Sequence, residues 1–457
     1  MTTLHSESAL TTEGWRNDVR LVVEAGCIAS IEVGVPAAQE DERVSVLVPG
    51  MSNVHSHAFQ RGMAGLAEVG GPLCDNFWSW RTAMYRFALS MSPDDVEAVA
   101  SQLYMEMLEA GFCRVGEFHY LHHDRDGRPY ANIAEMAERI VAAAGRAGIG
   151  LTLLPAFYAN SGFGGAEPLD VQRRFINDLD GFERILSGCR AAVKNLPGAV
   201  VGVAPHSLRA VTPEELSAVI AMAGDGPIHI HAAEQIKEVQ DCMAWSGARP
   251  VEWLLDHCGV DRRWCVIHAT HMTTDETRRL AESGAIAGLC PITEANLGDG
   301  TFNAGPFLAA GGCFGIGSDS NILIGVSDEL RQLEYTQRLM HKSRNVLAQP
   351  GSSSGRTLFD IALRGGGIAL GSAVGLATGN PADFVSLTTR RAPHVMEDAI
   401  LDSWIFTNGV SVDSVWAAGR KIVSDGKHVH REEISARFYA TMRALDLGLD
   451  SKHNLSP

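Results

Sequence analysis

Two histidines one residue apart, His55 and His57, close an apolar run that begins at Val48. Strand side chains alternate faces, so the two imidazoles point to one side and can hold one metal ion. An H-x-H pair alone is weak evidence. Three later signals complete a set with it: His231 with Glu234 in His229-Ile230-His231-Ala232-Ala233-Glu234, His268 in Val266-Ile267-His268, and Asp319 in Gly317-Ser318-Asp319-Ser320. Each closes its own short apolar run. His55, His57, His231 and Asp319 offer three nitrogens and a carboxylate, which suits zinc well and Fe²⁺ or Mn²⁺ acceptably. A metal held this way makes water nucleophilic near neutral pH. Glu234, three residues beyond His231, is placed to move a proton to a substrate nitrogen without binding metal. His268 stabilises the attacking oxygen, and Asp319 shares its proton.

Taken singly, any of these histidines is more often a hydrogen-bonded structural residue; the ordered set reverses that balance. His229 shares the face of His231 one layer lower and reads as a core histidine. His119, His122 and His123 form a cluster expected in an exposed loop, His271 reads as a loop residue, and the C-terminal histidines as surface residues.

Several strand ends that converge on one site call for a β/α barrel. Eight apolar segments fit its strands: 50–56, 112–118, 149–157, 199–205, 227–232, 264–269, 285–290 and 312–318. Helical patterns lie between them at Pro93–Glu109, Tyr130–Gly145, Pro168–Ala191, Pro213–Ala223, Lys237–Cys258 and Thr273–Glu282, and two more follow at 327–341 and 358–369. Strand then helix, repeated, predicts an α/β fold, a (β/α)8 TIM-like barrel over 49–380. Short β-branched runs with turn residues between them fill both ends of the chain, which predicts one small β-sandwich from residues 1–48 and 381–430. Residues 431–457 are left as a C-terminal helix and tail, and Gly351-Ser352-Ser353-Ser354-Gly355 reads as flexible.

The 457 residues are 46% apolar and 20% charged, an ordinary globular composition with ample sequence for a core. The net charge of −16, with no basic run to offset it, argues against nucleic acid or an anionic membrane as partner. Neither a signal peptide nor an apolar run long enough to span a membrane is evident. Nine scattered cysteines without a Cys-x-x-Cys spacing read as reduced thiols, which predicts a cytoplasmic protein. A small-molecule substrate is the one partner the sequence calls for, and a homodimer is compatible with it.

These motifs resemble the amidohydrolase superfamily, in its mononuclear deaminase branch. The Gly375–Ala382 to Val385 stretch and the framing sandwich carry the resemblance over nearly the whole chain. It implies a single divalent metal: two-metal relatives bridge their ions with a carbamylated lysine on the fourth strand, and here Val200–His206 ends without one, Lys194 lying before it. More narrowly, His55–Gly62, Asn76–Arg81, Gly116–Tyr120 and Ala204–Arg209 resemble the formimidoylglutamate deiminases of histidine degradation. That implies hydrolytic deimination of N-formimidoyl-L-glutamate to N-formyl-L-glutamate and ammonia. Such a pocket needs cations for two carboxylates, which Arg81, Arg209 and Tyr120 would grip, while Gln60 and His206 orient the formimino group. Without the resemblance, Arg81 reads as a surface salt bridge, and Arg209 is evenly balanced. Two alternatives stand beside this reading: a purine-type or S-adenosylhomocysteine-type deaminase, which would stack a flat base on aromatics, and a catalytically dead barrel serving as a scaffold.

Overall fold

The computed structural model describes residues 2–68 and 76–445. The barrel strands run Met51–Ser56, Phe112–His119, Gly150–Phe157, Val200–Val201 continued by Ala204–Pro205, Ile228–Ala232, Trp264–His268, Ile286–Leu289 and Cys313–Ile316. All pairings between neighbours are parallel. The strands are almost wholly buried, as expected where helices cover the outside and side chains fill the inside. The first and eighth strands meet through Asn53 opposite Ile316 and Ser56 opposite Asp319. The fourth and fifth meet through bridges at Val203–Ile228 and Ser207–His231, which close the ring. The fourth strand is split at Gly202, where a Cβ would lie 2.3 Å from the carbonyl oxygen of Pro227.

Helix boundaries follow local chemistry. Pro93–Glu109 starts on a Ser92 cap with proline at its first position. The helical pattern expected over Lys237–Cys258 is two helices, Ile236–Ser246 and Pro250–His257, because Gly247 takes a left-handed φ of 77° and Pro250 opens a new helix. Over Pro168–Ala191 only Leu179–Ala192 is an α-helix, capped by Asp178. Residues 173–178 form irregular chain after a short turn at Asp170–Gln172. The segment expected to be flexible, 351–355, instead starts the helix Ser354–Ala369, with the Ser353 side chain capping Arg356 N–H. A further helix, Phe77–Ser90, was not foreseen; the Asn76 side chain accepts from Trp78 and Ser79 N–H, and Ser79 Oγ accepts from Asn76 N–H.

The two ends of the chain form one sheet. Its strand order places Phe384–Thr388 beside Glu42–Pro49, which pairs in turn with Thr2–Thr11. The sheet curls until its distant parts touch: Ala382 N–H donates to Gly26 C=O, Gly419 N–H to Ala382 C=O, and Val23 packs against Gly419. Leu4, Leu21, Leu47, Phe384 and Trp416 fill the space enclosed. Val46, Val48, Val385, Leu387 and Val415 join the barrel core from the opposite face. Of the predicted tail, Arg431–Ala444 is helix, and residues 446–457 lie outside the described residues, as does Cys74. The eight described cysteines are free, and Cys113, Cys189, Cys242, Cys265 and Cys290 are buried.

Candidate active site

The C-terminal ends of the barrel strands bring the predicted residues to one place. His55 and His57 come from the first strand, His231 from the fifth, His268 from the sixth and Asp319 from just past the eighth. His55 Nε2 and His231 Nε2 are 3.0 Å apart. Asp319 Oδ1 lies 3.5 Å from His55 Nε2 and 3.4 Å from His57 Nε2. The orientation of two rings is fixed from behind: His57 Nδ1 bonds Phe118 C=O at 2.9 Å, and His231 Nδ1 bonds His206 C=O at 2.8 Å. A carbonyl accepts only, so both Nδ1 atoms carry the proton and both Nε2 lone pairs face inward. Burial, reinforced for His55 and His231 by the neighbouring imidazoles, holds the three histidines below their usual pKa and therefore neutral, as ligands must be. Inward-facing lone pairs, with the Asp319 carboxylate oxygen beside two of them, fit one divalent metal.

Opposite this set, His268 sits among three carboxylates. Its Nε2 is 3.8 Å from Glu234 and 3.7 Å from Asp319, and its Nδ1 is 3.2 Å from Glu294 Oε1. Burial disfavours its charge, but Glu234, Glu294 and Asp319 outweigh burial and push its pKa up to about 10. Glu234 is pushed up to about 7 by burial, with His268 and Arg209 opposing. A carboxyl poised near neutrality beside a charged imidazole can carry a proton either way.

The backbone bends sharply to aim these groups. Ala233, His268, Ala269, Asp319 and Asn321 all have positive φ, between 45° and 67°. Left-handed backbone at non-glycine residues costs on the order of 1–3 kcal/mol each and persists only where contacts enforce it. Here they do: the Glu238 carboxylate accepts from Ala233 and Glu234 N–H, and Asp319 N–H donates to His55 C=O. Asn53 and Asn321 tie the first strand to the eighth. Asn53 Nδ2 donates to Ser318 Oγ at 2.6 Å, Ser318 Oγ to Asn321 Oδ1, and Asn321 Nδ2 to His57 C=O. Glu238, Glu294, Asn53 and Asn321 were not foreseen. The signals were a glutamate in the first turn after the His231 strand, and Asn53 on the face of His55 and His57.

Gln60, Arg81, Tyr120, His206 and Arg209, the predicted substrate contacts, line one cavity with His57, His231, Glu234, His268 and Asp319. The cavity is narrow, with a volume of about 50 Å³. Gln60 Nε2 donates to Tyr120 OH at 2.8 Å, and the Tyr120 ring lies 4.8 Å from that of His57. The His206 ring lies 4.8 Å from that of His231. Arg81 and Arg209 form no salt bridge with any described residue, and Arg209 is buried with its Nε unpartnered. The cavity also takes Tyr85, Tyr158 and Phe175, which were not foreseen.

The cluster His119, His122 and His123 is buried, contrary to the exposure expected of it. His122 and His123 each direct Nε2 to a main-chain carbonyl, so they hold a loop in place. His428 is likewise buried, bonded to Ala147 C=O. His229 is a core histidine bonded to Ala369 C=O.

A closed parallel barrel with three histidines converging at its strand ends, and an aspartate 3.4–3.5 Å from two of them, fits the amidohydrolases, and the chain belongs to that family, whose model matches residues 46–422. Residues 1–45 match the model described as "Formimidoylglutamate deiminase HutF, N-terminal domain". The formimidoylglutamate deiminase of Pseudomonas aeruginosa is 49% identical over 96% of this chain and 98% of its own length. A crystal structure of an amidohydrolase from Brucella melitensis is 60% identical, with a TM-score of 0.96 over 97% of this chain and all of that one. An adenosine deaminase from Xanthomonas campestris, solved with bound zinc, shares the fold at 21% identity and a TM-score of 0.79, over 98% of each chain.

Proposed function

We propose that the chain hydrolyses N-formimidoyl-L-glutamate to N-formyl-L-glutamate and ammonia. One observation carries this reading: two arginines without salt bridges among the described residues, Arg81 and Arg209, share a cavity with the histidine–aspartate cluster. A dicarboxylate with a formimino head matches that polarity. The matched relative and the matched amino-terminal model support the same substrate.

His55, His57, His231 and Asp319 would hold one divalent metal, which we assign as zinc; the likeness to a zinc-containing fold relative supports that choice. When bound, the metal supplies the Lewis acidity that makes water nucleophilic at neutral pH. Arg81 and Arg209, with Tyr120, hold the carboxylates, and Gln60 and His206 turn the formimino carbon toward the site. Water adds to that carbon and gives a proton to Asp319, while the charged His268 stabilises the incoming oxygen. Glu234 delivers a proton to the terminal nitrogen, the C–N bond breaks and ammonia leaves, and the added hydroxyl returns its proton to Glu234 as the formyl carbonyl forms.

The division into a terminal sandwich (1–48 with 381–430), a barrel (49–380) and a C-terminal helix with its tail is part of the proposal, supported by the separate apolar cluster inside the curled sheet. We assign the chain to the cytoplasm on its free, largely buried thiols. Among the described residues no helix is long and apolar enough to cross a membrane.

Ammonia release from formimidoylglutamate, guanine, adenosine and S-adenosylhomocysteine tests the assignment. Turnover of the first alone is expected; preference for a purine would transfer the chain to the other deaminases of its family.

A further inference from the structure

Gln172 is fully buried at the end of the short turn Asp170–Gln172, and its amide has a defined orientation. Oε1 accepts from Leu169 N–H at 2.8 Å, which turns Nε2 inward. Nε2 then donates to Tyr158 OH at 2.8 Å and to Tyr85 OH at 3.3 Å. A tyrosine hydroxyl that already accepts from an amide keeps its own proton to donate. Two hydroxyls can satisfy at most one of their protons on each other, so at least one O–H is left without an acceptor among the described residues. Buried donors are rarely left so.

Both tyrosines line the cavity, and cations flank them. Arg81 stands one helical turn before Tyr85, its guanidinium carbon 5.5 Å from the Tyr85 ring. Arg209 lines the same wall with a buried, unpartnered Nε. A free O–H donor beside two guanidiniums without salt bridges among the described residues selects an anion. Their depth is set by a chain of rings. His206 lies 4.8 Å from the ligand-set residue His231, and Tyr158 lies 4.5 Å beyond His206. Gln172 then links Tyr158 to Tyr85.

We infer that Tyr85 and Tyr158, oriented by Gln172, form with Arg81 and Arg209 the subsite for the substrate carboxylate farther from the metal cluster. The inference rests on the dicarboxylate reading and adds to it: Tyr85 and Tyr158 determine specificity, and Gln172 is a positioning residue. In formimidoylglutamate that carboxylate is three carbon–carbon bonds from the carbon bearing the formimino nitrogen. Tyr120 and Gln60, against His57, are left to the nearer carboxylate and the formimino head.

The test compares Tyr85→Phe, Tyr158→Phe and Gln172→Glu on three compounds: formimidoylglutamate, 4-(formimidoylamino)butanoate, which keeps only the far carboxylate, and formimidoylglycine, which keeps only the near one. Gln172→Glu preserves an acceptor for Leu169 N–H but draws the tyrosine protons away from the cavity and adds negative charge. KM for the first two compounds should rise ~10-fold or more, with kcat changing less. The rise on formimidoylglycine should be severalfold smaller. Thermal unfolding of each variant accompanies the kinetics. Equal losses on all three compounds would mean that these side chains support the fold, and unchanged KM values in both phenylalanine variants would leave the carboxylate to the arginines; either result overturns the inference. Wild-type protein that turns over none of the three compounds would remove the dicarboxylate reading itself, a different failure.

Discussion

At the end of the cavity where we propose the metal is held, every side chain of the proposed chemistry stands on a barrel strand or within three residues of its end. At the carboxylate end, Arg81 and Tyr85 stand on the helix Phe77–Ser90, Arg209 on the turn after the fourth strand, Tyr158 just past the third, and Gln172 in the segment between strand and helix. The first end is held by the ring of hydrogen-bonded strands, by the Asn53–Ser318–Asn321 network and by enforced left-handed turns. The second depends on side chains packing on one another across separate excursions of the chain. Chemistry common to a family can sit on the rigid element, while substrate choice can change with the excursions. Substitutions at the first end should abolish turnover whatever the substrate, and those at the second should discriminate between substrates.

The largest effect is expected from His231→Ala. Its ring is one of three whose Nε2 atoms converge, so bound metal and ammonia release should disappear together, activity falling ~10⁴-fold or more. Elemental analysis of the wild-type chain should give close to one equivalent of metal; two equivalents with a bridging ligand would refute the single-metal site.

Glu234→Gln should retain the metal and lose ~10²- to 10⁴-fold in kcat, because the carboxyl moves protons and lies outside the ligand set. The same change should stabilise the metal-free chain above neutral pH. Burial raises the Glu234 pKa from 4.5 to about 7, so the folded state holds this proton more tightly than the unfolded one. Stability from such a group is complete below the unfolded pKa and is lost as pH rises through the folded value. Metal-free Glu234→Gln should therefore unfold above metal-free wild type at pH 8, by on the order of 1–3 kcal/mol, with the gap closing toward pH 5. A metal-free preparation of the variant under normal growth would instead make Glu234 a ligand.

Arg209→Met and Arg81→Met should lower kcat/KM for formimidoylglutamate roughly 10- to 150-fold, the loss of a charge-assisted contact of ~1.5–3 kcal/mol. Arg209 should lie at the upper end of that range, since it is buried and Arg81 only half-buried. The loss should shrink for a substrate lacking the carboxylate concerned. An arginine also draws anions toward an acidic protein, so the comparison needs both low and high salt. Equal losses on mono- and dicarboxylate substrates at both salts would erase the difference between the two ends.

The same contrast explains what could be read from the sequence. Short apolar runs marked all eight strands, and because the proposed metal ligands stand at or just past strand ends, the spacing of His55, His57, His231 and Asp319 was legible with them. Glu238 and Glu294 act from the helices that follow, where a glutamate looks like any first-turn residue. Arg81 and Arg209 needed a family resemblance to be noticed, since a lone arginine near a turn has no periodic signature. Gln172 and Tyr158 meet only through tertiary packing, and no spacing between positions 158 and 172 announces it. The buried histidines His122, His123 and His428 were read as exposed because their partners are main-chain carbonyls, which leave no mark on side-chain pattern.

The smallest effect should come from Trp78, which binds no substrate in this reading. Its ring has Arg81 at 4.5 Å, Arg209 at 5.8 Å and Lys237 at 6.0 Å, three cations around one indole. Left to themselves, like charges so close would spread apart into solvent. The negative face of the indole attracts each of them, at about 0.5–1 kcal/mol for partly exposed pairs. Trp78 would thereby keep the two guanidiniums in place before the substrate arrives, lowering the ordering cost of binding. Trp78→Leu removes the π face and should raise KM about two- to fivefold at unchanged kcat. Trp78→Phe should recover part of that loss, because benzene keeps a weaker quadrupole. The metal content of both variants should match wild type, since the ring is not part of the lining of the cavity that holds the histidine–aspartate cluster, and that cluster is held by the strands. A Leu variant with wild-type KM would show that the arginines are placed by their own helix and turn, and a variant that lost metal would show that the two ends of the cavity are mechanically one.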